Sequence, residues 1–142
     1  MIYVDTSSFL KLLLPEKHSA EVRDCVAAES QVVVSELTEL EADVQLRALF
    51  LGGGIRKSAL ASARARMSQI LLEDPIERIR LTRDVFRSAM AQNRISKTHC
   101  RSLDRLHLAA MEELRISRLM THDARQAEAA RELGYEVISP GL

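Results

Sequence analysis

Tryptophan is absent, aromatic residues make up 4% of the chain, and only two cysteines, three prolines and five glycines occur in 142 residues. So few aromatic rings leave little for the base-stacking platforms of single-strand-binding proteins. Cys25 and Cys100 lie far apart and form no C-x-x-C pair, so neither a disulfide framework nor a zinc site has support, and free, buried or half-buried thiols are expected. There is no repeat and no Pro/Ser-rich linker, and one glycine run, Gly52-Gly53-Gly54, is the sole breaker cluster. Residues 1–142 therefore read as one domain, long enough to bury a single core.

Charge of one sign is also missing: Lys plus Arg and Asp plus Glu stand at 20 each, for a net charge of zero. Tight nonspecific binding to nucleic acid through counterion release alone is therefore excluded, and any grip on a polyanion must be local. No apolar run approaches the roughly 18 residues of a membrane span, since FLKLLL is short and carries Lys11. Strand-like residues begin at position 2, where a secretory signal would place a basic region. With 46% hydrophobic and 28% charged residues, the chain reads as globular and cytoplasmic, with no membrane contact.

What is present is alternation. Short β-rich runs at Ile2-Val4, Val32-Val34, about 76–81, Arg118-Met120 and Glu136-Ile138 are separated by helical patterns at 6–14, 18–29, 36–51, 56–72, 83–94, 102–115 and 124–133. Gly134 stops the last helix, and the glycine run separates two antiparallel helices. Such alternation predicts an α/β protein with a mostly parallel sheet covered by helices. Ligands of such sheets gather outside the carboxyl ends of the strands.

Acids fall at those ends. Asp5 follows strand Ile2-Val4 in YVDTSS, and Asp123 follows Arg118-Met120 in MTHD; each suits an N-cap as well as a site. Asp104 stands in the first turn of RSLDRLHLAAMEEL, where the helix dipole favours an acid, beside an apolar seam read as Leu103, Leu106, Ala110 and Leu114. His107 is expected to be packed or hydrogen-bonded. In SELTELEADVQLRAL the stripe Leu37, Leu40, Val44, Ala48 and Leu51 places Glu41 about 60° away, Glu36 about 80°, Asp43 about 100° and Glu39 about 140°. Glu41 is the acid best placed to lean inward, with Glu36 and Glu39 as alternatives.

Two carboxylates about 4 Å apart repel by about 4 kcal/mol at an effective dielectric of 20, so a cluster of Asp5, Glu41, Asp104 and Asp123 needs protons or cations. Oxygen ligands without thiolates favour Mg²⁺ or Mn²⁺. Arg83, Arg87 and Arg94 share a helix face, and Arg101 and Arg105 flank Asp104; both sets suit a phosphate path or ordinary pairing with solvent and acids.

The segments YVDTSSFLKLLLPE, VVVSELTELE, RSLDRLHLAA and LMTHDARQAEAARELG, in that order and spacing, resemble the PIN-domain family, specifically its VapC-like toxin ribonucleases. The resemblance spans nearly the whole chain. It implies a three-layer α/β/α sandwich, a metal-dependent endoribonuclease acting on RNA, a homodimer and a cognate antitoxin that covers the active site. Matched position by position, Asp5, Glu41, Asp104 and Asp123 correspond to the metal-binding acids. Thr121 corresponds to the hydroxyl two residues before the last Asp, and Thr6 and Ser7 to the hydroxyl pair after the first. A noncatalytic PIN-fold binding module is the alternative. An aspartyl-nucleophile phosphatase fits less well, since it wants an acid where Ser7 stands.

Overall fold

The computed structural model describes residues 1–142, in the order β1 (Ile2–Val4), α1 (Thr6–Leu13), α2 (Ser19–Ala28), β2 (Val32–Ser35), α3 (Glu36–Leu51), α4 (Lys57–Ile70), β3 (Ile76–Ile79), α5 (Asp84–Ile95), α6 (Ser102–Glu113), β4 (Arg118–Met120), α7 (Ala124–Glu132) and β5 (Glu136–Ile138). The five strands form one sheet in the order β3-β2-β1-β4-β5, with every pair parallel. Helices link successive strands because parallel neighbours cannot be joined by a tight turn.

Side chains alternate across the sheet and divide the core in two. Ile2, Val4, Val32 and Val34 point to one face, where α1 to α4 supply Phe9, Leu13, Leu46 and Met67. Tyr3, Val33 and Leu119 point to the other, against Leu108, Met111 and Ala129 of α6 and α7. The result is the expected three-layer α/β/α sandwich. The central strands are buried on both faces, which explains why their sequence runs continuously apolar. Gly53 adopts φ +77° in the turn between α3 and α4, a left-handed conformation that glycine accepts without a Cβ penalty.

Two apolar seams read from the sequence are corrected. On α3, Leu40, Val44 and Leu51 are 62%, 57% and 68% exposed, while Leu37, Thr38, Ala42 and Leu46 face the core. Thr38 decides the facing: its hydroxyl donates to the Val4 carbonyl, and its small size brings the helix close to β1. On α6, Leu103 and Leu114 are exposed; the buried face carries Asp104, Arg105, His107, Leu108 and Met111. Asp104 bonds to Arg101, Arg105 to Ser96 and Thr98, and His107 to Tyr3 and Glu41, partners that hydrophobic periodicity does not register.

The strand order reverses between β1 and β4. Both strands lead into a shared crevice, from which α1 and α7 depart to opposite faces, and in register Val4 pairs with Met120. Asp5 and Thr121 thus leave the sheet side by side at the topological switch point, where open α/β sheets bind ligands.

Candidate active site at the switch point

Asp5 caps α1, accepting from the Ser8 amide at 3.0 Å. Its other partners are Thr121, across the crevice, and Ser7, on α1 itself. Thr121 Oγ1 donates to Asp5 Oδ2 at 2.6 Å, and Ser7 Oγ lies 2.8 and 2.9 Å from the two carboxylate oxygens. Asp5 is 2% exposed and has no ion-pair partner. Burial pushes its carboxyl above the usual range, against the pull of Thr121, Ser8, His107 and Ser7. Capping and site geometry are therefore the same arrangement: the cap fixes Oδ1, Thr121 fixes Oδ2 and Ser7 spans both.

Thr121 carries that arrangement to the next acid. Its Oγ1 accepts the Asp123 amide at 3.0 Å, and Asp123 Oδ1 caps α7 by accepting from Arg125 and Gln126. Asp123 Oδ2 meets Arg101 Nη2 at 3.1 Å, and Arg101 Nε meets Asp104 Oδ2 at 2.9 Å. One guanidinium thus bridges two acids from different helices, reaching from just before α6 while its own side chain stays largely exposed.

The fourth acid arrives from α3. Glu41 Oε2 accepts from Thr6 Oγ1 at 2.8 Å and lies 2.6 Å from His107 Nε2. His107 is 1% exposed, and its Nδ1 stands 2.8 Å from Tyr3 Oη, which donates to Ser35 Oγ at 2.7 Å. Partial burial raises the Glu41 carboxyl, but His107, Thr6 and Arg101 outweigh it and hold the group below the usual range. The alternatives on the same helix are engaged elsewhere. Glu36 accepts from the Leu81 amide, and Glu39 pairs with Arg78 at the sheet edge.

The crevice thus contains two bonded groups, Asp5–Ser7–Thr121–Asp123 and Thr6–Glu41–His107, with Asp104 tied to the first through Arg101. In these side-chain positions no three His, Cys, Asp or Glu residues gather closely enough to hold one ion. The donor chemistry nevertheless suits a hard divalent cation: carboxylate and hydroxyl oxygens, no thiolate, and in Asp5 a buried carboxylate without a cationic partner. The sequence predicts a packed or hydrogen-bonded His107, as observed, and leaves Arg101 between a phosphate path and pairing with acids, of which the structure shows the pairing. Spacing holds a signal for both, since each lies three residues from Asp104, one helical turn away.

With fold and crevice described, the comparisons place the chain. The PIN domain family profile matches residues 2–132, and the chain belongs to the PIN-domain family as a VapC-like member. Ribonuclease VapC47 of Mycobacterium tuberculosis is 32% identical over 143 residues, covering 99% of this chain and 98% of that protein. Among solved structures, M. tuberculosis VapC20, described as a sarcin-ricin loop cleaving toxin, superposes with a TM-score of 0.72 at 20% identity, covering 99% of this chain and all of that one. A toxin–antitoxin complex from Klebsiella pneumoniae gives 0.66 at 16% identity, covering 99% and 98%. The two structures bear on the fold alone.

Proposed function

We propose that this protein is a divalent-metal-dependent endoribonuclease, the toxin of a toxin–antitoxin pair, acting in the cytoplasm as a homodimer. The observation that carries the reading is a set of shared partners at the crevice between β1 and β4: Thr121 bonds to Asp5 and to the Asp123 amide, Arg101 to Asp104 and Asp123, and Thr6, next to Asp5, to Glu41. Isolated helix caps do not require such shared partners. Family membership supports the reaction class, the names of the VapC relatives support RNA as substrate, and the Klebsiella complex supports an antitoxin partner. No helix is long and apolar enough to cross a membrane.

In this reading Asp5, Glu41, Asp104 and Asp123 hold Mg²⁺ or Mn²⁺, whose chemistry is Lewis-acid polarisation of a phosphate oxygen. The chain's own residues do the rest. Ser7 and Thr121 fix the direction of the Asp5 carboxylate, so that it is preorganised before any ligand enters. His107 and Thr6 hold Glu41 ionised, as its depressed pKa requires. Arg101, bonded to Asp104 and Asp123, turns its charge to a substrate phosphate when those acids are otherwise engaged.

The test is cleavage of RNA by purified protein in Mn²⁺, with and without EDTA, beside Asp5→Asn. Activity confined to the metal-replete native protein is the expected result. Equal activity in the chelated and substituted samples would remove the metal-nuclease reading and leave the noncatalytic binding module.

A further inference from the structure

Arg101 spends its charge on two acids, but its neighbour Arg105 does not. Arg105 is 3% exposed, and its Nη2 donates only to Ser96 Oγ at 3.0 Å and the Thr98 carbonyl at 3.3 Å. Its Nε and Nη1 are buried without an acceptor. A buried cation with no carboxylate is costly, and structures retain one where an anion completes it.

The surroundings of Arg105 say what kind of anion. It lines a cavity of about 420 Å³ between α5 and α6, together with Arg94, Asn93, Ser102, Phe86 and Met90. No acid lines that cavity, and Arg94 also forms no ion pair. In a chain of zero net charge this is a local concentration of unspent positive charge. The opposite wall is apolar and uncovered: Phe86 is 57% and Met90 58% exposed. Arg105 and Ser102 on α6 face α5, which carries Phe86 and Met90 and, toward its end, Asn93 and Arg94; this lining fits a ligand that is anionic at one end and flat and apolar at the other.

We propose that this cavity is a nucleotide subsite, in which Arg94 and Arg105 hold an RNA phosphate flanking the cleaved bond and its base lies on Phe86 and Met90. This rests on the nuclease reading: Arg105 follows the candidate ligand Asp104 in the first turns of α6, and Ser102 of the same turn also lines the cavity. The size suits one nucleotide, falling at the lower end of ordinary ligand sites. Arg105 is the fixed end of the grip, anchored by Ser96 and Thr98; Arg94 is the exposed, solvent-facing end. Stacking on a single ring tolerates every base, so the subsite strengthens binding more than it selects sequence.

The test separates the subsite from catalysis. Anisotropy of a labelled single-stranded RNA is measured in EDTA, where no cleavage occurs, for the native protein and for Arg94→Gln, Phe86→Ser, Arg105→Lys and Arg105→Met. Arg94→Gln and Phe86→Ser change exposed groups and keep the test decisive if Arg105→Met does not fold. Each folded variant is expected to bind RNA five- to tenfold more weakly, with Arg105→Lys retaining more affinity than Arg105→Met. An abasic nucleotide next to the cleaved position should weaken binding to the native protein and not to Phe86→Ser. Native affinity in Arg94→Gln and Phe86→Ser overturns the subsite even if the native protein cleaves RNA. So does a change confined to self-association or antitoxin binding, which would make the occupant a protein carboxylate. Conversely, RNA binding that depends on these residues in a protein that never cleaves RNA keeps the subsite and removes the nuclease reading.

Discussion

His107 Nε2 stands 2.6 Å from Glu41 Oε2, joining α6 to α3 across the carboxyl end of β1. Behind it, Tyr3 and Ser35 close a chain of hydrogen bonds that starts inside the sheet and ends on an acid of the crevice. The ring therefore has two tasks, packing and aiming Glu41.

The two tasks separate by substitution. His107→Ala removes a buried ring and one of the partners of each of Tyr3 Oη and Glu41, and is expected to cost about 2–4 kcal/mol of stability. His107→Gln keeps an amide donor toward Glu41 and should recover part of that loss. Where both fold, metal affinity and cleavage rate should fall about 10- to 100-fold for Ala and less for Gln, as for other groups that orient ligands. Thermal unfolding and calorimetric Mn²⁺ titration read the two effects apart. A stability loss with unchanged metal affinity would confine His107 to packing.

Asp5→Asn should do the reverse, sparing the fold and removing the chemistry. Asn caps a helix as well as Asp does, so metal-free stability should change by no more than about 1 kcal/mol. The raised pKa fixes the sign of the pH effect. Folding favours the neutral carboxyl, so the contribution of Asp5 is fully present below the unfolded value of about 3.9 and is lost as pH rises through the higher folded value. Relative to native protein, Asp5→Asn should therefore gain stability as pH rises through that window. Saturating Mn²⁺, at about 100 times its Kd, should stabilise the native protein by about 2.7 kcal/mol and the variant by much less. Equal metal-dependent shifts in melting temperature would take Asp5 out of the ligand set.

Arg101 links Asp104 to Asp123 at 2.9 and 3.1 Å, in the place where a metal must draw on the same oxygens. Because its side chain is 64% exposed, solvent screening holds each pair to no more than about 1 kcal/mol. Arg101→Gln should therefore tighten Mn²⁺ binding by about fivefold, while RNA binding weakens through loss of a phosphate partner. Titration calorimetry without RNA and anisotropy without metal measure the two separately. Weaker Mn²⁺ binding in Arg101→Gln would contradict the competition.

The sequence made the strand-to-acid junctions legible because they are local: three apolar β-formers running into Asp5, and Leu119 and Met120 leading to Thr121 and Asp123. It also singled out Glu41, although by a stripe that the structure corrects. Leu40, Val44 and Leu51 face outward, and Glu41 turns inward because it lies about 40° from Leu37 and about 60° from Thr38, both buried. The particular partners of His107, Arg101 and Arg105 were the illegible part. Their surroundings depend on which elements pack opposite, so three polar residues on α6 and at its N-cap receive three different fates: a buried hydrogen bond, an acid bridge and a cation without an anion.

Glu132 supplies a pH test away from the acids of the crevice. From α7 its carboxylate accepts the Lys97 amide at 2.6 Å, the Thr98 amide at 2.9 Å and Ser96 Oγ at 3.1 Å, which together pull its pKa down to about 2. A depressed folded pKa means that the contribution is complete above the ordinary value of about 4.3 and is lost as pH falls through 2. Ser96 and Thr98 are also the two anchors of Arg105, so the same carboxylate steadies the segment that fixes that guanidinium. In amide NMR spectra the Lys97 and Thr98 signals should hold their positions from pH 7 to about 4 and move together below that. Glu132→Gln should abolish that acid transition and weaken RNA binding in EDTA, since the anchors of Arg105 loosen. Unshifted Lys97 and Thr98 amides in Glu132→Gln at neutral pH would show that the segment holds itself without the carboxylate.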